Sequence, residues 1–170
     1  MLLFIILFLQ EGLDSIEKDL SVSEIAEEST ILVLRLMMET ICPDGGMTDE
    51  GIVRDAYVST IEEMEQSLDI PFKDVSEKVL IFFLERFVTN LIFNRILNDI
   101  GNKITNLPET VESIHAVEQQ IKTYLHDTVV EALAESQLDL SRISHDEIES
   151  VVRKIYQQTF KLLQHRGGLR

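Results

Sequence analysis

A chain of 170 residues, 45% of them hydrophobic, can bury one substantial core, so the sequence predicts a single domain over residues 1–170. Its formal net charge of −15, from 30 acidic and 15 basic residues, argues against direct binding to the phosphate backbone of nucleic acid. Seven glycines and three prolines are few interruptions, which favours an all-α fold over an architecture with many turns.

The chain opens with the apolar run MLLFIILFLQ. No basic residue precedes this run and no small-residue cleavage site follows it, so it differs from a targeting sequence. It is also shorter than the roughly 20 apolar residues that span a bilayer. We therefore expect a buried first helix from Leu2 to Gln10 and no membrane segment, although so abrupt a start suggests that a preceding segment is missing. One cysteine forms no internal disulfide, which fits a cytoplasmic protein.

The second helix is expected to begin near Ser21, because Ser21 and Glu24 have the spacing of a capping box. It should end before Pro43, since proline cannot continue a helix. The residues expected to face inward are Ile25, Leu32, Leu36 and Ile41.

The third helix is predicted to start after Thr48, a suitable N-cap residue. Asp49 and Glu50 follow at once, where negative charge favours the positive end of the helix dipole. Apolar residues at helical spacing form the stripe that should be buried: Val53, Tyr57, Ile61, Met64 and Leu68.

The fourth helix is the most apolar of the chain. It follows the extended segment DIPF, is opened by Asp74 and Glu77 at capping-box spacing, and is ended by Gly101. Its apolar residues leave little of the circumference polar: Leu80, Ile81, Phe82, Phe83, Leu84, Phe87, Val88, Leu91, Ile92, Phe93, Ile96 and Leu97. Such a helix is buried on several sides, so it should form the centre of a bundle of five to six helices or present one face to a partner.

Two more helices are expected after Gly101. The first follows Pro108, which suits an initial helical turn, and the second opens at Ser144 with Glu147 at capping-box spacing. The first carries Val111, Ile114, Val117, Ile121, Tyr124, Leu125, Val129 and Leu133, and the second carries Ile148, Val151, Val152, Ile155, Phe160 and Leu163.

The sequence contains no pattern typical of a catalytic or metal-binding site. Cys42 as a nucleophile would need a base nearby, but the four histidines lie far from it and no catalytic motif surrounds it. Structural zinc sites use paired Cys or His ligands at short spacing, which this chain lacks. No glycine-rich phosphate loop is present either. We therefore expect no catalytic residues, no metal and no cofactor.

The segment around the cysteine is explained as a structural turn between two helices. Pro43 ends the preceding helix, and Asp44, Gly45 and Gly46 tolerate a positive φ angle. With Cys42 before them, these residues form the turn that Thr48 follows.

The same segment also carries a family signature. ICPDGGMTDEGIVRDAY resembles a Cys-Pro-x-Gly-Gly turn and helix start in the helical C-terminal region of the QatB family, a component of Qat anti-phage defence systems. The segments FFLERFVTNLIFNRILNDIG, LPETVESIHAVEQQIKTYL and VVRKIYQQTFKLLQ follow in the order of that family, so the resemblance runs from Met1 to Leu163. Met47 and Gly51 depart from the usual residues, and the long Gly-, Ser- and Arg-rich N-terminal region typical of the family is not found here.

The resemblance implies a non-catalytic component of a defence operon that also encodes an ATPase, a QueC-like enzyme and a TatD-like nuclease. The family looks like a binding partner or substrate of the QueC-like enzyme. For this chain the implied function is an adaptor that docks the QueC-like protein, with the ATPase or the nuclease as further candidates. Asp49, Glu50 and Asp55 are candidate contacts, although surface acids near a helix start also act simply by complementing the dipole.

A second hypothesis is a self-associating scaffold. In that case the very apolar fourth helix would pair with its copy across a two-fold axis. The chain would then be a homodimer without an enzymatic partner.

Overall fold

The computed structural model describes residues 22–41, 48–101, 110–135, 150 and 152–161 of the chain. Every regular element within these ranges is helical, which confirms the all-α class. The α-helices are α1 (Val22–Glu27), α2 (Thr30–Ile41), α3 (Thr48–Glu65), α4 (Glu77–Gly101), α5 (Val111–Glu135) and α6 (152–161), with a short 3₁₀ helix at Phe72–Asp74. The predicted first helix, from Leu2 to Gln10, lies outside the described residues.

The chain divides into two compact units, Met1–Phe87 and Val88–Arg170. The boundary falls within α4, so one continuous helix contributes to both units. Because compactness alone does not decide whether two units unfold separately, the single domain over residues 1–170 stays a prediction.

In the first unit, the predicted second helix is interrupted at Glu28 and Ser29 and forms α1 and α2. The interruption is held by the segment before the 3₁₀ helix. Phe72 N–H donates to the Glu28 carbonyl at 2.8 Å, Thr30 N–H donates to the Ile70 carbonyl at 3.0 Å, and Ser29 forms an isolated antiparallel bridge with Pro71. These bonds occupy backbone groups that an unbroken helix would use internally.

The break changes which side chains of α2 face inward. Ile25 is buried as predicted, but the prediction that Leu32 and Leu36 face inward was wrong, because the helical phase starts again at Thr30. The apolar residues that α2 buries are instead Ile31, Val33, Leu34 and Met37.

Helices α2 and α3 run antiparallel. Thr30, at the start of α2, bonds to Ile70 beyond the end of α3, and Arg35, five residues later, pairs with Glu65, the last residue of α3. The residues that join the two helices, 42–47, lie outside the described part of the chain. The structural turn assigned to Cys42–Gly46 therefore stays a prediction.

An aromatic cluster forms the core of the first unit. The ring of Tyr57 packs edge-on against Phe83 and Phe87, with ring centroids 5.8 and 6.3 Å apart, and the two phenylalanine rings stack at 6.0 Å. The Tyr57 hydroxyl donates a 2.8 Å hydrogen bond to the buried Leu34 carbonyl of α2. Of the predicted α3 stripe, Ile61 and Met64 are also buried, whereas Val53 and Leu68 are only half-buried. Ile52, Ala56 and Thr60 of α3 are buried as well.

Replacement of Tyr57 with phenylalanine should lower the free energy of unfolding by about 1 kcal/mol, since the ring still packs while the bond to the Leu34 carbonyl is lost. Denaturant unfolding of the parent and the variant measures this difference. Equal stability of the two proteins would mean that the hydrogen bond contributes nothing.

Helix α4 is buried around its whole circumference in the middle. Every residue from Phe87 to Ile92 is buried, which confirms the prediction for the most apolar helix. Its start differs from the prediction: Asp74 belongs to the 3₁₀ helix, and the Ser76 carbonyl accepts from Val79 and Leu80 at the first turn of α4.

In the second unit, α5 buries only one side, near its C-terminal end. Leu125, Val129 and Leu133 are buried, and the Lys122 ammonium lies 5.9 Å from the centre of the Phe93 ring of α4. Val111, Val117 and Tyr124, which belong to the same helix, are exposed. Apolar residues on α5 occupy a wider arc than the side that packs. In α6, Ile155 and Thr159 are buried.

Candidate functional site

Among the described residues of the first unit, the large apolar side chains that stay exposed lie on α2. Leu32 and Leu36 are 43% and 45% exposed and lie one helical turn apart. Residues at this spacing occupy the same side of a helix, so the two leucines form one apolar patch, here called the α2 patch. Large apolar side chains grouped on a surface are typical of protein–protein contacts.

Charged side chains accompany the α2 patch. Arg35, between the two leucines in sequence, contacts Glu65 of α3 through Nη2 and Oε2 at 2.7 Å, and both side chains are about half exposed. Elsewhere in the same unit, Lys73 pairs with Glu27 at 2.6 Å. Exposed ion pairs of this kind contribute little to stability. Arg35 and Glu65 thus place charges next to the two leucines. Protein–protein interfaces commonly have such polar residues around an apolar centre.

The acidic candidates of α3 are not gathered into one line. Glu50 and Asp55 are exposed, and they are five residues apart, which is about 140° around a helix. Asp49 is helical, but its side chain lies outside the description. Whether these acids contact a partner stays a prediction.

Neither a metal site nor a membrane span is found in the described ranges. No group of three or more His, Cys, Asp or Glu side chains there could hold a metal ion. None of the helices described combines the length and the apolar character of a membrane span. Cys42 lies outside these ranges. The absence of a cysteine nucleophile therefore stays a prediction from the sequence.

A polar cluster in the second unit links the end of α4 to α6. The Tyr156 hydroxyl donates to Asp99 Oδ2 at 2.5 Å, and Arg95 Nε donates to the same oxygen at 3.1 Å. The Tyr156 ring stacks on Phe160 with the centroids 5.8 Å apart. Only the four-residue spacing of Arg95 and Asp99 was visible in the sequence. The cluster joins two helices through a hydrogen bond, so we assign it a structural role.

Burial and the hydrogen bonds of this cluster shift the pKa values of Tyr156 and Asp99. Burial raises the pKa of Tyr156, and the bond to Asp99 raises it further, to about 12. Burial opposes ionisation of Asp99, but the hydrogen bond from Tyr156 and the charge of Arg95 outweigh it, so the pKa of Asp99 is lowered. The Asp99 contribution to stability is therefore lost only as the pH falls through that lowered pKa.

Tyr156 stabilises the fold in its neutral form, because its pKa in the folded state exceeds the ordinary tyrosine value of about 10. This contribution should be complete below pH 10 or so and should disappear as the pH rises through the folded pKa. The difference in tyrosinate absorbance between the parent and Tyr156→Phe should have its midpoint near pH 12. Asp99→Asn should move this midpoint downward. A midpoint near the ordinary tyrosine pKa of about 10, the same in the parent and in Asp99→Asn, would contradict the assigned hydrogen bond.

Comparison with known proteins identifies the family of the chain. The model of the family described as Qat anti-phage system associated protein QatB matches residues 3–163. No curated protein and no solved structure gives a significant match. Since the family match covers nearly the whole chain, the chain belongs to the QatB family and is a component of the Qat anti-phage system.

Proposed function

We propose that the chain is a non-catalytic adaptor that docks the QueC-like enzyme of its own operon through the α2 patch. The observation that carries the proposal is the exposure of Leu32 and Leu36, two large apolar side chains on one side of a helix. Neither leucine belongs to the core of the first unit as far as it is described, since α2 buries Ile31, Val33, Leu34 and Met37 instead. A partner would gain the apolar area that the chain alone leaves in water.

The charge of the chain supports a partner protein over a nucleic acid or a membrane. A net charge of −15 repels phosphate groups, whether in nucleic acid or in anionic lipid. The proposed adaptor acts in the cytoplasm and uses no metal or cofactor. The ATPase and the TatD-like nuclease of the operon are the next candidate partners, and both can be tested in the same assay.

The docking proposal is tested by pull-down of the purified chain with the QueC-like protein at low and moderate salt. Leu32→Gln/Leu36→Gln should reduce binding at least tenfold or so, because glutamine keeps the helix propensity and removes the apolar contact. The matched control is Val117→Gln/Tyr124→Gln, which removes an exposed apolar pair from the second unit. Binding that survives the α2 change, or that is absent at both salts, would refute the proposal.

The acids of α3 have a separate expected effect. Asp49→Lys, Glu50→Lys and Asp55→Lys should slow association and weaken its salt dependence if these residues lie at the rim of the interface. Glu62→Lys, at another exposed acid of α3, controls for the change in total charge. Equal effects of the four variants would assign the acids to general surface charge.

The self-associating scaffold remains the alternative function. The helix proposed to pair with its copy, α4, is buried around its middle within the chain, which disfavours that route. Light scattering after size-exclusion chromatography decides between the two. A stable dimer that Leu32→Gln/Leu36→Gln leaves intact would favour the scaffold.

A further inference from the structure

A second exposed face lies on α5, in the unit that the docking proposal does not use. Val117 and Tyr124 are 45% and 42% exposed, while Leu125, Val129 and Leu133 pack inward from another side of the same helix. The Lys122 ammonium lies 5.9 Å from the centre of the Phe93 ring, so the side of α5 that carries Lys122 faces α4. Because Leu125, Val129 and Leu133 pack inward, Val117 and Tyr124 are left facing solvent.

The exposed residues of α5 form a regular line. Val117, Gln120, Tyr124, Asp127 and Glu131 recur at alternating intervals of three and four residues, and all five are exposed. This is the seven-residue pattern by which one helix presents a ridge to another helix. The five residues are here called the α5 ridge. Its N-terminal part is apolar and its C-terminal part is acidic.

The charge of α5 is strongly one-sided. The helix carries five acidic residues, Glu112, Glu118, Asp127, Glu131 and Glu135, against the single Lys122, and its last turn has no basic residue. Glu131 and Glu135 thus lie at the negative end of the helix dipole, where acids are unfavourable. Among the described residues, neither of them has an ion-pair partner. A cation brought by another molecule would relieve this repulsion.

These features select among possible occupants of the α5 ridge. In a parallel pair of two copies, the acids of one ridge would lie against those of the other, which is destabilising. In an antiparallel pair centred on Val117 and Tyr124, the acids would meet no cation on the ridge of the second copy. Nucleic acid carries the same sign of charge. An amphipathic helix with an apolar seam flanked by lysines or arginines satisfies both parts of the ridge: its apolar side chains cover Val117 and Tyr124, and its cations pair with Asp127 and Glu131.

From this pattern we propose that the α5 ridge is a docking surface for a basic amphipathic helix of another protein. The proposal is independent of the adaptor function assigned to the α2 patch. The apolar anchors give the contact its affinity, and the acids determine the orientation of the incoming helix and speed its arrival. The ridge would then let the chain hold a second protein while the first unit binds its own partner.

The probe for this surface is a fluorescently labelled peptide of leucine and lysine in an amphipathic helical pattern, titrated with the purified full chain at moderate salt. A scrambled peptide of the same composition separates helix docking from general attraction between opposite charges. The amphipathic peptide should bind at least tenfold or so more tightly than the scrambled one. Equal affinity for the two peptides would overturn the proposal.

Two sets of variants locate the contact. Val117→Gln/Tyr124→Gln and, separately, Asp127→Lys/Glu131→Lys should each weaken binding of the amphipathic peptide about tenfold. Leu32→Gln/Leu36→Gln and Asp55→Lys/Glu62→Lys make the same chemical changes in the first unit and should leave it unchanged. Circular dichroism confirms that each variant is folded. If only the first-unit variants lost binding, the peptide would bind the first unit and the proposal would be overturned. If the chain formed a dimer that Val117→Gln/Tyr124→Gln dissociates, the α5 ridge would be a contact between copies, which would also overturn the proposal.

Discussion

Replacement of Phe87 with alanine should lower the free energy of unfolding by about 3–5 kcal/mol. Phe87 is buried and stacks on Phe83 at 6.0 Å, and the edge of the Tyr57 ring packs against it at 6.3 Å. Truncation removes the apolar contacts of the ring and leaves a cavity that the neighbouring aromatic rings can close only in part. The expected loss is a large fraction of the stability of an ordinary domain.

Denaturant unfolding of the parent and of Phe87→Ala measures this loss. Leu32→Ala is a control on an exposed leucine and should change stability by less than about 0.5 kcal/mol. If Phe87→Ala unfolded at the same denaturant concentration as the parent, the aromatic cluster would not be the core of the first unit.

Replacement of Leu125 with alanine should cost about 2–5 kcal/mol, because this residue is fully buried in the second unit. Val117→Ala on the exposed side of the same helix is the matched control and should have little effect. Near-equal losses in the two variants would mean that α5 does not pack through the side that carries Leu125.

The two core variants together also test the single domain. Because α4 continues through the boundary between the units, we expect one cooperative transition, and both Phe87→Ala and Leu125→Ala should shift it as a whole. Two separate transitions, each moved by only one of the variants, would establish two domains.

The helical class and the burial of the middle of α4 could be predicted because they depend on composition and local pattern. Apolar residues at nearly every position of α4 require neighbours on several sides, and the residues from Phe87 to Ile92 are all buried. The start of α3 at Thr48 and the end of α4 at Gly101 also follow from residues that cap or interrupt helices.

The surfaces could not be predicted, because they depend on contacts distant in sequence. Backbone bonds from Ile70 and Phe72 interrupt the helix at Ser29, and this break turns Leu32 and Leu36 outward. Nothing in the sequence near Ser29 indicates those bonds. Likewise, the apolar pattern of α5 does not reveal which of its sides is packed, so the exposure of Val117 and Tyr124 became visible only in the structure.

The adaptor function is tested most directly by hydrogen exchange of the chain with and without the QueC-like protein. If the α2 patch is the docking surface, peptides from Thr30–Ile41 should exchange more slowly in the complex, and Leu32→Gln/Leu36→Gln should abolish the protection. Val117→Gln/Tyr124→Gln should leave it in place. A complex that forms without protection in Thr30–Ile41, or no complex at all, would contradict the assignment.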